Sequence, residues 1–142
     1  MTFSFRFDSV LQVGVKALIK GEGDRYLFLK RSKVFSGESI QKWDIPGGRI
    51  KTGEPIYKAL ERELFEETHL RMKGTPQVII AQDIFFDSVH VVRLTFIVSV
   101  ENSPVILDPK EHSEYRWMMF EELKTYAYDQ LFIPIIEKLT LC

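Results

Sequence analysis

Glu63, Glu66 and Glu67 crowd into a stretch whose apolar residues recur with helical spacing. Pro55 to Thr68 reads as a helix. Pro55 suits its first turn, where a missing N–H costs nothing, and Ile56, Leu60 and Leu64 fall at i, i+4 and i+8 as one buried stripe. At about 100° per residue with Ile56 at zero, Leu64 lies near 80°, Glu67 near 20°, Glu63 near 340° and Glu66 near 280°. The carboxylates therefore run along the edge of the buried face, while Lys58, Glu61, Arg62 and Phe65 turn outward and Arg62 points away from their centre. Charges ordinarily sit opposite an apolar stripe. Glu63 and Glu67, four residues apart, repel by a few tenths of a kcal/mol even when exposed, and by more when half-buried. A hard cation with oxygen ligands, Mg²⁺ or Mn²⁺, would relieve that repulsion. The competing reading is an ordinary solvated acidic helix.

The elements around this helix are mostly strands. Val10 to Lys20 and Tyr26 to Arg31 flank the turn Gly21–Asp24 and read as a hairpin. Trp43-Asp44-Ile45 is extended because Pro46 keeps Ile45 out of the helical region, and Pro46-Gly47-Gly48 reads as a tight loop. Val78 to Phe86, Val89 to Val100 and Glu114 to Met118 are further strands. Glu121 to Leu123 is one helical turn, and Asp129 caps a last helix running to about Leu139, with Pro134 early in it. Strands clustered on both sides of one long helix predict a mixed α/β (α+β) fold without regular βαβ alternation.

The chain has 142 residues, 45% of them hydrophobic, which suits a single domain, residues 1–142, with one core. A formal net charge of -1 argues against a nucleic-acid polymer as partner, since polyanion binders carry a basic surplus. A phosphorylated ligand would then need a bound cation to neutralise it. Cys142 is the one cysteine, so neither an intrachain disulfide nor a multi-cysteine zinc site is available. Met1 to Asp8 has no apolar signal-peptide core, and no apolar run is long enough to span a membrane, so the expected location is cytoplasmic.

From Gly48 the sequence runs Gly-x5-Glu-x7-Arg-Glu-Leu-x-Glu-Glu-x-His-Leu, with fixed points at Gly48, Glu54, Arg62, Glu63, Leu64, Glu66, Glu67 and Leu70. With each residue type at roughly one in fifteen, the six Gly, Glu and Arg matches would arise by chance on the order of once in 10⁵ chains. The segment resembles the Nudix box, which has Gly where this chain has His69. Leu27 to Arg31 is similar to that family's strand ending in Lys-Arg, Trp43 to Gly48 to its Trp-x-x-Pro-Gly-Gly lead-in, and Lys110-Glu111 with Trp117 to its later Glu–Trp segment. The resemblance implies a Nudix fold: a mixed sheet sandwiched between helices, with a loop–helix–loop catalytic motif.

It also implies roles. Glu63 and Glu67, then Glu66, are the expected metal ligands, with the Gly47 carbonyl and Glu111 beside them and Mg²⁺ or Mn²⁺ as the ion. Glu63 is the first choice for the base that takes a proton from the attacking water, and Glu111 the second. Arg62 pairs with a box carboxylate, Glu54 being the candidate, and orients the set. Arg31 and Gly48 are placed at the substrate, although Arg31 also reads as a strand-end surface residue. Lys30 reads as solvated. Phe35, Phe85 and Phe86 are candidates for a base pocket or for core. His90 reads as structural and His112 as a surface-loop residue. His69 either adopts the left-handed conformation or ends the helix differently.

The resemblance implies Mg²⁺-dependent hydrolysis of a nucleoside diphosphate linked to another group. Within that family the chain looks most like a MutT-type nucleoside triphosphate pyrophosphohydrolase, which releases nucleoside monophosphate and pyrophosphate, by its size and because it matches none of the NADH-type, coenzyme-A-type or ADP-ribose side motifs. The alternatives are another nucleotide substrate (a nucleotide sugar or dinucleoside polyphosphate) or a non-catalytic nucleotide-binding domain. The expected partner is a small phosphoanhydride, with no membrane; a homodimer is compatible with this reading.

Overall fold

The computed structural model describes residues 10–33 and 40–140. Among these residues, seven strands form two sheets. In the first, β4 (Gly47–Arg49), β1 (Val10–Ile19), β6 (Val89–Val100) and β5 (Met72–Phe86) lie in that order. β1 runs antiparallel to β4 and parallel to β6, and β6 runs antiparallel to β5, so the sheet is mixed. The second sheet has the order β3 (Trp43–Asp44), β2 (Tyr26–Arg31), β7 (His112–Met118), all antiparallel. Among the described residues the helices are α1 (Ile56–Thr68), α2 (Phe120–Leu123) and α3 (Ile133–Thr140), the last preceded by a 3-10 turn at Gln130–Phe132. Among the described residues no helix is long and apolar enough to cross a membrane.

Alternation along β1 divides the core. Val15, Ala17 and Ile19 face α1 and pack with Ala59, Leu60, Leu64, Phe96 and Val98. Leu18, on the opposite face, joins Phe28, Trp43, Ile45, Met118, Leu123, Phe132 and Ile135. Each fully buried leucine of this kind contributes about 2 kcal/mol. Leu60 and Leu64 thus hold α1 on the sheet against its acidic edge.

Several elements differ from the sequence reading. β1 and β2 form no hairpin: they lie in different sheets, joined at their near ends by the single bridge Lys20–Tyr26. The Gly47–Gly48 segment is strand rather than loop, because β1 supplies a pairing edge, with Lys16 opposite Gly47 and Val15 opposite Gly48. β5 begins earlier, at Met72; its register shifts between Lys73 and Gln77 absorb Gly74, at φ 76, and Pro76. Pro55 is the N-cap of α1, not its first helical residue. Ile56 is exposed; the neighbouring Tyr57 takes the sheet contact, its ring edge-on to Phe96 at 5.9 Å. Asp129 caps the 3-10 turn, its side chain accepting from the Leu131 amide at 3.0 Å, and Pro134 falls in the first turn of α3 where its missing N–H is harmless. Phe35, Cys142 and the side chain of Phe86 lie outside the described residues.

At the end of α1, His69 takes the left-handed conformation, φ 61 and ψ 15. That costs a side-chain-bearing residue about 1 kcal/mol relative to glycine. Two contacts unavailable to glycine offset it. Nδ1–H donates to the Ile106 carbonyl at 3.0 Å, and the ring packs against Phe65 at 4.9 Å. The helix ends as the box requires, through the backbone bond from His69 to the Phe65 carbonyl.

Candidate active site

A cleft of about 530 Å³ opens where β4 meets the last turns of α1. Glu63 and Glu67 reach it from the helix, Gly47 and Gly48 from β4, Lys16 from β1, Arg31 and Asp44 from the second sheet, and Glu111 and His112 from the start of β7. The glycines are required by space. A Cβ on Gly47 would strike the Val15 carbonyl, and one on Gly48 would strike the Glu63 carboxylate. At Gly47 only backbone fits, whereas at Gly48 a side chain would force the Glu63 carboxylate to move.

Glu67 is the buried centre, 6% exposed. Its Oε2 accepts from the Gly47 amide at 2.7 Å. Burial pushes its carboxyl up to about 9, with the charges of Glu63 and Glu111 adding to the effect against Lys16 and the Gly47 bond. Burial likewise raises Glu63, whose Oε1 accepts from Arg62 Nη1 at 2.9 Å. Atoms of Glu67, Glu111 and His112 converge to within 4.8 Å of one another. His112 is buried, not a surface histidine, because β7 begins at it and turns it inward. Burial holds its imidazole down to about 4, so its 3.9 Å approach to Glu67 is a neutral contact and not an ion pair. Its Nδ1 has no hydrogen-bond partner among the described residues.

Arg62 does not point away from the acids, as the helical wheel suggested. Its long side chain bends back: Nε and Nη2 clamp both oxygens of Glu54 at 2.7 and 3.0 Å, and Nη1 reaches Glu63 and Glu66 at 2.9 and 3.3 Å. The Arg62 hydrogen bonds pull Glu54 down to about 2. The predicted Arg62–Glu54 pair is present, and it ties the loop before α1 to the helix. Glu66 is not brought into the cleft; its side chain is 56% exposed and meets Arg62 at the rim.

An ion network centred on the buried Asp44 forms the opposite wall. Asp44 Oδ2 accepts from Lys16 Nζ at 3.1 Å and from Arg31 Nη2 at 2.8 Å, and Arg31 Nη2 also reaches Asp129 at 2.9 Å. Burial alone would raise Asp44, but Lys16 and Arg31 outweigh it and hold the carboxyl far below the usual range. Sequence reasoning missed Lys16 and Asp129 as site residues and gave Asp44 no chemistry. The signal was a lysine inside an apolar strand. Lys30, half-exposed beside Glu114 at 4.0 Å, lies outside the cleft. His90 pairs with Asp83 at 2.8 Å and stacks on Phe85 at 4.5 Å, away from it.

The donor set fits a divalent cation. Two carboxylates enclosed in one wall, with Glu63 beside them, carry repulsion that a hard cation would remove, and their oxygens suit Mg²⁺ or Mn²⁺.

Residues 10–138 match the NUDIX domain. The chain belongs to the NUDIX family, a class of hydrolases. It is 26% identical to a putative 8-oxo-dGTP diphosphatase of Bacillus subtilis over 74% of this chain, a match spanning 64% of that protein's length. It is 30% identical to the nucleoside triphosphatase NudI of Klebsiella pneumoniae, over 77% of this chain and 82% of that one. Among solved structures, the MutT protein of Methanosarcina mazei superposes with a TM-score of 0.78 at 26% identity, covering 94% of this chain and 95% of that one.

Proposed function

We propose that the chain hydrolyses the phosphoanhydride of a nucleoside triphosphate, releasing nucleoside monophosphate and pyrophosphate, with Mg²⁺ as the bound ion. The observation that carries this reading is the buried Glu67 carboxylate, held by the Gly47 amide and facing Glu63 and Glu111 in one cleft. Such a group is stable as an anion only when a cation joins it. The names of the Bacillus and Klebsiella relatives support a nucleoside triphosphate as substrate.

Glu63, Glu67 and Glu111, with the Gly47 carbonyl, would hold the metal, and Glu66 would support them from the rim. When bound, the ion lowers the pKa of water and neutralises phosphate charge. Water oxygen attacks one phosphorus, the bridging oxygen leaves on the other, and a carboxylate takes the proton. Glu63 is the base, since burial raises its proton affinity and Arg62 fixes its orientation. Arg62 steadies the ligands through Glu54. Lys16 and Arg31 set positive charge on the wall where phosphates lie, and Gly48 leaves the floor open.

The test is a Mg²⁺ assay over nucleoside triphosphates, oxidised forms included, with nucleotide sugars and dinucleoside polyphosphates alongside. Pyrophosphate release from a triphosphate, lost in both Glu63→Gln and Glu67→Gln, is the expected result. Release from the other classes alone would move the substrate assignment. Tight nucleotide binding without turnover would make the domain a sensor and overturn the reading.

A further inference from the structure

A second cavity of about 230 Å³ adjoins the carboxylate cleft, with Lys16 and Gly48 in the walls of both. Arg93 lines it from β6, opposite Gly14 of β1. The glycine leaves that side open: a Cβ there would lie 3.7 Å from Arg93 Cγ and 3.4 Å from Val91 Cγ1.

Arg93 is only 8% exposed, yet its Nε and Nη2 have no hydrogen-bond partner among the described residues. These two nitrogens form one edge of the guanidinium and present parallel N–H donors, a fork made for two adjacent acceptors. An arginine buried for stability would be paired. The acids nearest in charge, Asp44 and Asp129, are bonded to Arg31, and Asp44 to Lys16 as well. Two acceptors lie next to Arg93 in the register of the sheet. Gln82 lies opposite Arg93 on β5 and gives its amide nitrogen to the Leu131 carbonyl at 3.1 Å, leaving Oε1 without a partner. Gln12, across from Val91, has its Oε1 in the same state. A ligand satisfying this set offers two adjacent acceptors and N–H donors beside them.

Given the hydrolase reading above, on which this rests, we propose that Arg93 determines base specificity: its Nε–Nη2 edge takes O6 and N7 of a guanine whose phosphates lie in the carboxylate cleft. Guanine N1–H and its exocyclic amine supply donors for the glutamine oxygens. Adenine would set its amino group against the fork, and oxidation of guanine at C8 places a hydrogen on N7. Cytosine also offers two adjacent acceptors, O2 and N3, but brings one donor group to the two glutamine oxygens where guanine brings two. Each of these loses one bond of the full set, a discrimination of roughly 10-fold or more.

The test is kcat/KM with Mg²⁺ for dGTP, dATP, dCTP and 8-oxo-dGTP in the wild type, Arg93→Met and Arg93→Lys. The wild type should favour dGTP over each of the others by roughly 10-fold or more, and both variants should bring the ratios to within about 3-fold. Lysine keeps the charge and loses the fork, so it serves where methionine fails to fold. Equal use of dGTP and dATP by the wild type, a preference for 8-oxo-dGTP, or a loss in the variants shared evenly by all substrates would overturn the inference. If no nucleotide is turned over, the hydrolase reading fails by itself. Equilibrium binding of GMP against AMP then decides on Arg93: stronger GMP binding, lost in Arg93→Met, supports the fork, and equal or absent binding overturns it.

Discussion

The Gly47 amide donates to Glu67 Oε2 across 2.7 Å, so the strand entering the box and the last turn of its helix are locked through the carboxylate that a metal would need. The bond needs only an acceptor, not a charge. Glu67→Gln keeps an oxygen for Gly47 and, like the protonated carboxyl, sets no negative charge against Glu63 and Glu111. Without metal, this variant should melt no lower than the wild type. The rise in Tm on adding Mg²⁺ should disappear, as thermal melts with and without the ion will show.

The same group sets a pH dependence. In the fold Glu67 is raised to about 9, above its unfolded value. The folded state therefore binds this proton more tightly, and the associated stability is present in acid and lost as pH rises through 9. Metal-free protein should melt lower at pH 9 than at pH 6, and Mg²⁺ should raise the Tm more at pH 9, where no proton need be displaced. An Mg²⁺-induced shift that shrinks with rising pH would contradict the assignment.

Asp44 works in the opposite direction. Its folded pKa is depressed by Lys16 and Arg31, so its contribution is present above the unfolded value near 4 and lost as pH falls below it. Asp44→Asn leaves two half-buried cations short of a partner and should destabilise by roughly 3 kcal/mol at pH 7. Urea melts at pH 7 and pH 3 should differ less in the variant than in the wild type.

Adjacent glycines should fail in different ways. Gly48→Ala presses on the Glu63 carboxylate, the end of a side chain that can shift, and should cost activity with modest loss of stability. Gly47→Ala presses on the Val15 carbonyl within the β1–β4 pairing and should cost the larger share of stability, about 1–3 kcal/mol. Denaturant melts beside kcat measurements separate the two.

Arg62→Lys keeps the charge but cannot hold Glu54 with two bonds and reach Glu63 as well. Its kcat should fall by about 10–100-fold while the fold survives, because it disturbs groups that orient the proposed metal ligands. Circular dichroism beside steady-state rates checks it.

The box was legible because one helix and its lead-in carry it, and spacing along a helix fixes which side chains are neighbours. The Arg62–Glu54 pair was legible for the same reason. Partners across the fold were not. Nothing local in β1 says that it lies parallel to β6 rather than against β2, and the strand character of Gly47–Gly48 exists only because β1 offers an edge. His112 read as a loop residue because its burial depends on where β7 starts. Arg93 reads as one polar residue in an apolar strand until the register shows Gly14 opposite it. The box glycine position was left open at His69, and the structure resolves it through a partner, Ile106, distant in sequence.

The parallel pairing of β1 with β6 also bears on how the chain reaches its fold. Residues 10–19 find their partners at residues 89–98, and the box helix lies between them in sequence. On the ribosome, β1 and α1 emerge before the strand that completes their sheet. Loop closure over that distance precedes the contacts that reward it, which places folding among slower topologies. Until β6 arrives, the acidic helix has half a floor to stand on.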